Sequence, residues 1–450
     1  MKYFKELLFL LFITVMLRGD GQNIIGYYPY WVTDFYSPNN IPTSQMTHLV
    51  HSFMWPEADG SVGHPDQFFS ITPSLINIAH NNNCKVMVSI GGAGYGIHFD
   101  AVFADAEKRK KFINELVEIC QDYGYDGIDI DWEQPDSHTD KQNLNLFVQE
   151  LSDKIADNLA EISISIAVPA SDWRGKYYDA AFLKNYVSWF GVMTYDFYGS
   201  WSNVSGHNSS LYKDPGDPQY LTIDSAIREY WHNTKKVPYN QLVSGIPFYG
   251  YKFAGAAGPY QNFTSATYVS YRDIQSLNQY QYIWNSDARV PYRINSNTFI
   301  TYDDTLSVRY KCEYAREKKL GGVMIWEISQ DFFNPDEQPL LNTVIREMHK
   351  TTAIIHAGPE ISTDFSISQN YPNPFNAGTC FKITIADDLQ LQLSIYDING
   401  HPTETLYNDK IMAGTYDFLW TAHQNITSGV YFLKAKSKNN VQSVKMVYLK

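Results

Sequence analysis

The chain has 450 residues, with 35 Lys and Arg against 48 Asp and Glu, a formal net charge of -13. No basic run could follow a phosphate backbone, which argues against nucleic acid as a partner. Four cysteines (Cys84, Cys120, Cys312, Cys380) are too few for a disulfide scaffold and match no zinc spacing, while 15% aromatic residues suit both a core and the stacking of sugar rings.

The chain starts with Lys2 and Lys5 ahead of an apolar stretch from Leu7 to Leu17, too short to cross a bilayer and suited to an export signal over residues 1–22. No other long apolar run follows, so no integral membrane segment is expected. Eight strand-like runs come next, at 23–31, 48–54, 85–92, 127–133, 162–170, 189–196, 242–250 and 321–329. Helical patterns lie between several of them. "DAEKRKKFINELVEICQDYG" (105–124) runs from an acidic N-cap to Gly124, and "KQNLNLFVQELSDKIADNLA" (141–160) repeats apolar residues at helical spacing. Alternating strands and helices predict a parallel sheet, and eight of them predict a closed (β/α)8 TIM barrel over 23–349. Cys84 opens one strand and Cys120 ends the following helix. They are either buried thiols or, in an oxidising compartment, a bridged pair.

Residues 251–305 are too long for one loop and helix, and read as an inserted α+β subdomain between strands seven and eight. The last barrel helix follows Asp303, through "SVRYKCEYAREKK". A linker is expected at 350–363. Beyond it, short alternating strands with Gly and Asn turns predict a β-sandwich over 364–450.

The most unusual stretch is "YDGIDIDWEQP" (125–135). Successive strand residues face opposite ways, so Asp129, Asp131 and Glu133 share one face and Ile128, Ile130 and Trp132 the other. In a barrel the isoleucine face meets the helices and the acids meet the interior, where branched apolar residues would otherwise stand. Three crowded acids cannot all ionise cheaply, so they share protons and the pKa of at least one rises. Glu133, last and longest, is the natural general acid.

Asp126, Gly127, Asp129, Asp131 and Glu133 match a pattern that resembles the signature of glycoside hydrolase family 18. "SIGG" (89–92), "MTYD" (193–196), "GIPFYG" (245–250) and "GGVMIWE" (321–327) resemble the family's third-, sixth-, seventh- and eighth-strand motifs, in order and at fitting spacing. The resemblance implies a secreted chitinase that cleaves β-1,4 bonds between N-acetylglucosamine units, with the substrate's own acetamido oxygen as nucleophile. It implies Glu133 as acid and base, Asp131 beside the acetamido group, Asp129 beneath it, and Tyr195 and Asp196 completing the catalytic set. It implies a substrate wall from Tyr27, Phe53, Gly92, Trp132, Met193, Tyr249 and Trp326. Trp31 and the "WSNVSGHNSSLY" loop (201–212) are further candidates for the cleft. One departure stands out: where family members often carry Arg after "FYG", this chain has Tyr251. No metal or other cofactor is expected. Alternatives on the same fold are a non-catalytic chitin-binding lectin and an endo-N-acetylglucosaminidase or cell-wall glycan hydrolase.

"SQNYPNPFNAGT" and the terminal "GVYFLKAKSKNNVQSVKMVYLK" resemble the sorting domain of type IX secretion. That resemblance implies a bacterial protein that meets the secretion machinery through its C-terminal domain and ends up extracellular or surface-attached. A monomer is expected, with chitin or chito-oligosaccharide as its partner.

Overall fold

The computed structural model describes residues 22–350 and 364–450, apart from residues 134, 159–160, 377, 386–387, 413, 422–425 and 439. The expected export signal and most of the expected linker lie outside the described residues. The chain forms two compact units that part at residues 352 and 353.

In the first unit eight parallel strands close into a barrel. They are β1 (Asn23–Pro29), β2 (His48–Pro56), β3 (Lys85–Gly91) and β4 (Gly127–Asp131), then β5 (Ser163–Pro169), β6 (Trp189–Met193), β7 (Leu242–Pro247) and β8 (Gly322–Trp326). Each pairs with the next, and β1 closes the ring by pairing with both β2 and β8. The alternation in β4 works as the pattern predicts. Ile128 and Ile130 are fully buried in the main core, which the barrel shares with its outer helices.

Helix Ala106–Tyr123 shows how local sequence sets the ends of these elements. Asp105 accepts from the backbone N–H groups of Glu107 and Lys108, and Gly124 closes the helix at φ 83°, a left-handed conformation that glycine adopts without penalty. Phe112, Leu116 and Val117 form its buried face. Helix His138–Asp157 begins three residues before the predicted one because Ser137 and Asp140 build a reciprocal cap. Cys84 and Cys120 are both buried but are not joined by a disulfide. The Cys84 thiol instead contacts the Lys85 carbonyl at 3.7 Å, and desolvation pushes the Cys120 thiol up, away from the thiolate that disulfide exchange requires.

The insertion is a five-stranded antiparallel sheet in the order Ser265–Ser270, Tyr249–Ala254, Thr298–Thr301, Val290–Asn295, Gln281–Asn285, with helix Tyr271–Gln275 beside it. The predicted strand 242–250 therefore divides. After Pro247 the chain leaves the barrel, the Phe248 N–H donates to the Trp326 carbonyl (2.8 Å), and Tyr249 begins the first subdomain strand. Tyr249 and Tyr251 belong to the insertion. Helix Thr305–Glu317 then returns the chain to β8. The second unit holds one three-stranded and one four-stranded sheet, both antiparallel, around Leu393, Trp420 and Leu433, the sandwich that the sequence predicts.

Candidate active site

The acidic row begins inside the barrel. Asp129 lies in register with Ser89 on β3 and Ser165 on β5. Both hydroxyls donate to it, Ser165 Oγ at 2.6 Å and Ser89 Oγ at 2.8 Å, and Tyr27 Oη on β1 adds a third bond at 2.8 Å. Burial pushes the Asp129 pKa up, and these three donors pull it back toward the ionised form.

One step toward the rim, Asp131 is buried and its Oδ1 has no hydrogen-bond partner among the described residues. Burial first, then the charges of Glu133 and Asp129, hold its pKa well above the usual carboxylate range. Its backbone is packed tightly: Gly92 N–H donates to the Asp131 carbonyl (2.8 Å), and a Cβ on Gly91 would stand 2.2 Å from that same oxygen. Glu133 follows just beyond the end of β4 and is half-buried. Desolvation, then the neighbouring Asp196 charge, push its pKa up to about 7. A carboxylic acid poised there is protonated in a large fraction of molecules at neutral pH and can still ionise within a cycle.

Asp131 and Glu133 open onto a cleft of about 780 Å³. Phe53, Met193, Tyr195, Asp196, Tyr249 and Trp326, all predicted from sequence, line it with them. Phe53 stacks against Trp326 (ring centroids 5.6 Å, 27°), making a flat apolar floor. Asp196 takes a left-handed backbone (φ 59°) and donates its N–H to Asn208 Oδ1 (3.0 Å). Its Oδ1 accepts from Tyr249 Oη (2.6 Å) and Tyr251 Oη (3.1 Å). Asp196 is exposed to the open cleft, yet desolvation by the surrounding walls raises its pKa and the two phenols lower it.

Three of the predicted wall residues lie elsewhere. Tyr27 is below the cleft, beneath Trp326 (centroids 5.6 Å), where it serves Asp129. Gly92 is buried at φ 83°, and a Cβ there would come 2.6 Å from the Phe53 ring, so the missing side chain makes room for the floor. Trp132 is a correction. Strand alternation turns it to the helix side, where it stacks on Phe99 (5.6 Å, 21°), packs edge-on to Phe103, and is buried. Asp126, the first acid of the motif, accepts from Val86 N–H and pairs with His80, so it anchors the strand's start.

Sequence reasoning passed over several residues of the site. Ser165 could have been found, because "SISIAV" places a small polar residue on the inward alternation next to the acids. Trp173 and Arg174, in a helical turn after β5, line the cleft and carry no periodic signal; Trp201, in the loop already singled out, lines it too. Tyr178 Oη donates to the Trp132 carbonyl (2.6 Å), bracing the segment that carries Glu133. Among the described residues, no helix is long and apolar enough to span a membrane, and no group of His, Cys, Asp and Glu is arranged to hold a metal ion.

A (β/α)8 barrel with a stacked row of carboxylates opening onto an aromatic-floored cleft at its C-terminal rim defines a glycoside hydrolase. Residues 23–331 match Glycosyl hydrolases family 18, and the chain belongs to that family. Residues 369–449 match a secretion system C-terminal sorting domain. Chitinase A1 of Niallia circulans is 30% identical over 70% of this chain and 57% of its own length. Chitinase 1 of Aphanocladium album is 30% identical over 69% of this chain and 82% of its own. This chain therefore spans little more than half of the Niallia relative. Among solved structures, a group IV chitinase of Ostrinia furnacalis in complex with allosamidin superposes with a TM-score of 0.66 at 26% identity. That match covers 72% of this chain and 97% of that one.

Proposed function

We propose that the protein is an exported chitinase that cleaves β-1,4-linked N-acetylglucosamine chains with retention at the anomeric carbon. The observation that carries this reading is the graded acid row. Asp129 is held by three donors, Asp131 is buried with one oxygen unpartnered among the described residues, and Glu133 stands at the cleft with its pKa pushed up to about 7.

The sugar before the scissile bond rests on Trp326 and Phe53. Glu133 gives its proton to the glycosidic oxygen as the C1–O bond breaks, while the acetamido carbonyl oxygen of that sugar bonds to C1. The oxazolinium ion so formed carries its positive charge beside Asp131, whose Oδ1 takes the acetamido N–H. Asp129 keeps negative charge beneath Asp131, within reach of the shared proton. Once the leaving chain departs, Glu133, now a carboxylate, removes a proton from water as the water attacks C1 and the ring opens. Two inversions give retention and restore the Glu133 acid. The alternating acids suit this because the nucleophile belongs to the substrate, so the protein supplies one proton donor and a stabilising charge.

The C-terminal sandwich supports export by type IX secretion, which places the enzyme outside the cell or on its surface. Substituting Glu133→Gln tests the assignment. Turnover of the N-acetylglucosamine hexamer is expected to fall roughly 10²–10⁴-fold, with hexamer binding, followed by calorimetry, kept within a few-fold. Undiminished hydrolysis would remove Glu133 from the role of general acid.

A further inference from the structure

Among the described cleft carboxylates, Asp196 stands out for two phenols on a single oxygen. Tyr249 and Tyr251 are two residues apart on one subdomain strand, so their side chains share a face and both reach Oδ1, at 2.6 and 3.1 Å. Tyr251 also packs edge-on against Trp201 (centroids 5.7 Å, 87°), an exposed residue of the cleft wall. The titratable groups that face Asp196 are Glu133 from the β4 segment, Tyr195 beside it, Tyr249 and Tyr251, and Tyr268 from strand Ser265–Ser270. None of these is a cation. The phenol donors therefore do what a positive charge would otherwise do for an anion at the cleft wall.

We propose that Tyr251 is a positioning residue: its hydroxyl keeps the Asp196 carboxylate ionised and turned with Oδ1 toward the subdomain, leaving Oδ2 to a sugar hydroxyl, and thereby sets the acid limit of catalysis. This rests on the chitinase reading of the same cleft. A neutral Asp196 would carry its own proton and would lose its charge-assisted bond to the sugar. Two donors on one oxygen favour the ionised form, so removing one lets Asp196 take up its proton at higher pH. Activity that needs ionised Asp196 is then lost sooner as pH falls. The alkaline limit differs in kind. It reports Glu133 losing its proton while Asp196 is already ionised, and it stays in place.

The experiment is the pH dependence of kcat and kcat/KM on the N-acetylglucosamine hexamer for the wild type, Tyr251→Phe, Tyr268→Phe and Glu133→Gln. Phenylalanine at 251 keeps the ring that packs on Trp201, so only the hydroxyl is removed. The acid limb of Tyr251→Phe is expected to move up by roughly half a pH unit or more, with the alkaline limb unmoved. Tyr268 packs its ring on Tyr249 (4.6 Å, 20°), so Tyr268→Phe keeps that stacking and its acid limb should stay where the wild type has it. An unmoved acid limb in Tyr251→Phe, or an equal shift in Tyr268→Phe, overturns the assignment. Turnover by Glu133→Gln would instead overturn the reading of the cleft itself, so the two failures are distinguishable.

Discussion

Replacing Ser165 by alanine removes the shortest of the three bonds to Asp129 and leaves the carboxylate 1% exposed with two donors. A hydrogen bond to a buried charged group contributes about 1.5–3 kcal/mol, and losing it pushes the Asp129 pKa further up. The sign follows from linkage. Burial already raises this pKa in the folded chain, and the variant raises it further, so the folded variant binds the proton more tightly than the unfolded chain does. Its stability deficit against the wild type is complete above the variant's own folded pKa and shrinks as pH falls through it, because protonated Asp129 has less need of the donor. Thermal unfolding followed by circular dichroism should show a midpoint lower by on the order of 3 °C at pH 7.5, and a clearly smaller gap near pH 4. Turnover should fall as well at pH values below the variant's folded pKa, where a neutral Asp129 no longer supplies charge beneath Asp131. An equal gap at both pH values would mean that lost packing, and not charge, is responsible, and would refute the view of Asp129 as the held end of the acid row.

Asp131→Asn should lower kcat on the hexamer by roughly 10²-fold or more, and the residual activity should show a narrowed pH profile. A wild-type profile would count against proton sharing. Gly92→Ala places a Cβ 2.6 Å from the Phe53 ring at φ 83°, so hexamer affinity in a Glu133→Gln background should weaken about tenfold as the floor shifts. Unchanged affinity would show that the floor position is not critical. Intact-mass measurement with and without reductant should show no two-dalton change from a Cys84–Cys120 bridge, in keeping with two buried thiols.

The barrel was legible because eight strand-like runs alternate with helical patterns, although its interior also holds large apolar residues such as Met87, Trp189, Val243 and Met324 beside the serines and acids. The acid row was legible because period-two alternation assigns Asp129, Asp131 and Glu133 to one side with no knowledge of neighbours. That rule also contradicts Trp132 as a wall residue, since its register opposes Glu133, and the structure sides with the register. Strand ends were less legible. The predicted runs through Trp31, Glu133, Asp196 and Ser329 overshoot, because ladder pairing stops at the rim while the apolar pattern continues into the loops that carry the site. Long-range partners were the least legible. Nothing local in "FYGYKFA" reveals that Tyr249 and Tyr251 leave the barrel and turn two hydroxyls back to Asp196, more than fifty residues earlier. The turn holding Trp173 and Arg174 was missed likewise, because a four-residue helix has too few positions to show a period.

The central claim is that Glu133 and the substrate's own acetamido group carry out retaining hydrolysis. Its most direct test is product analysis against time on the N-acetylglucosamine hexamer, with the anomer of the first-formed reducing end read by proton NMR before mutarotation. The account predicts the β-anomer first for the wild type and no products above background for Glu133→Gln. Initial release of the α-anomer, or β-anomer from Glu133→Gln at the wild-type rate, would contradict it.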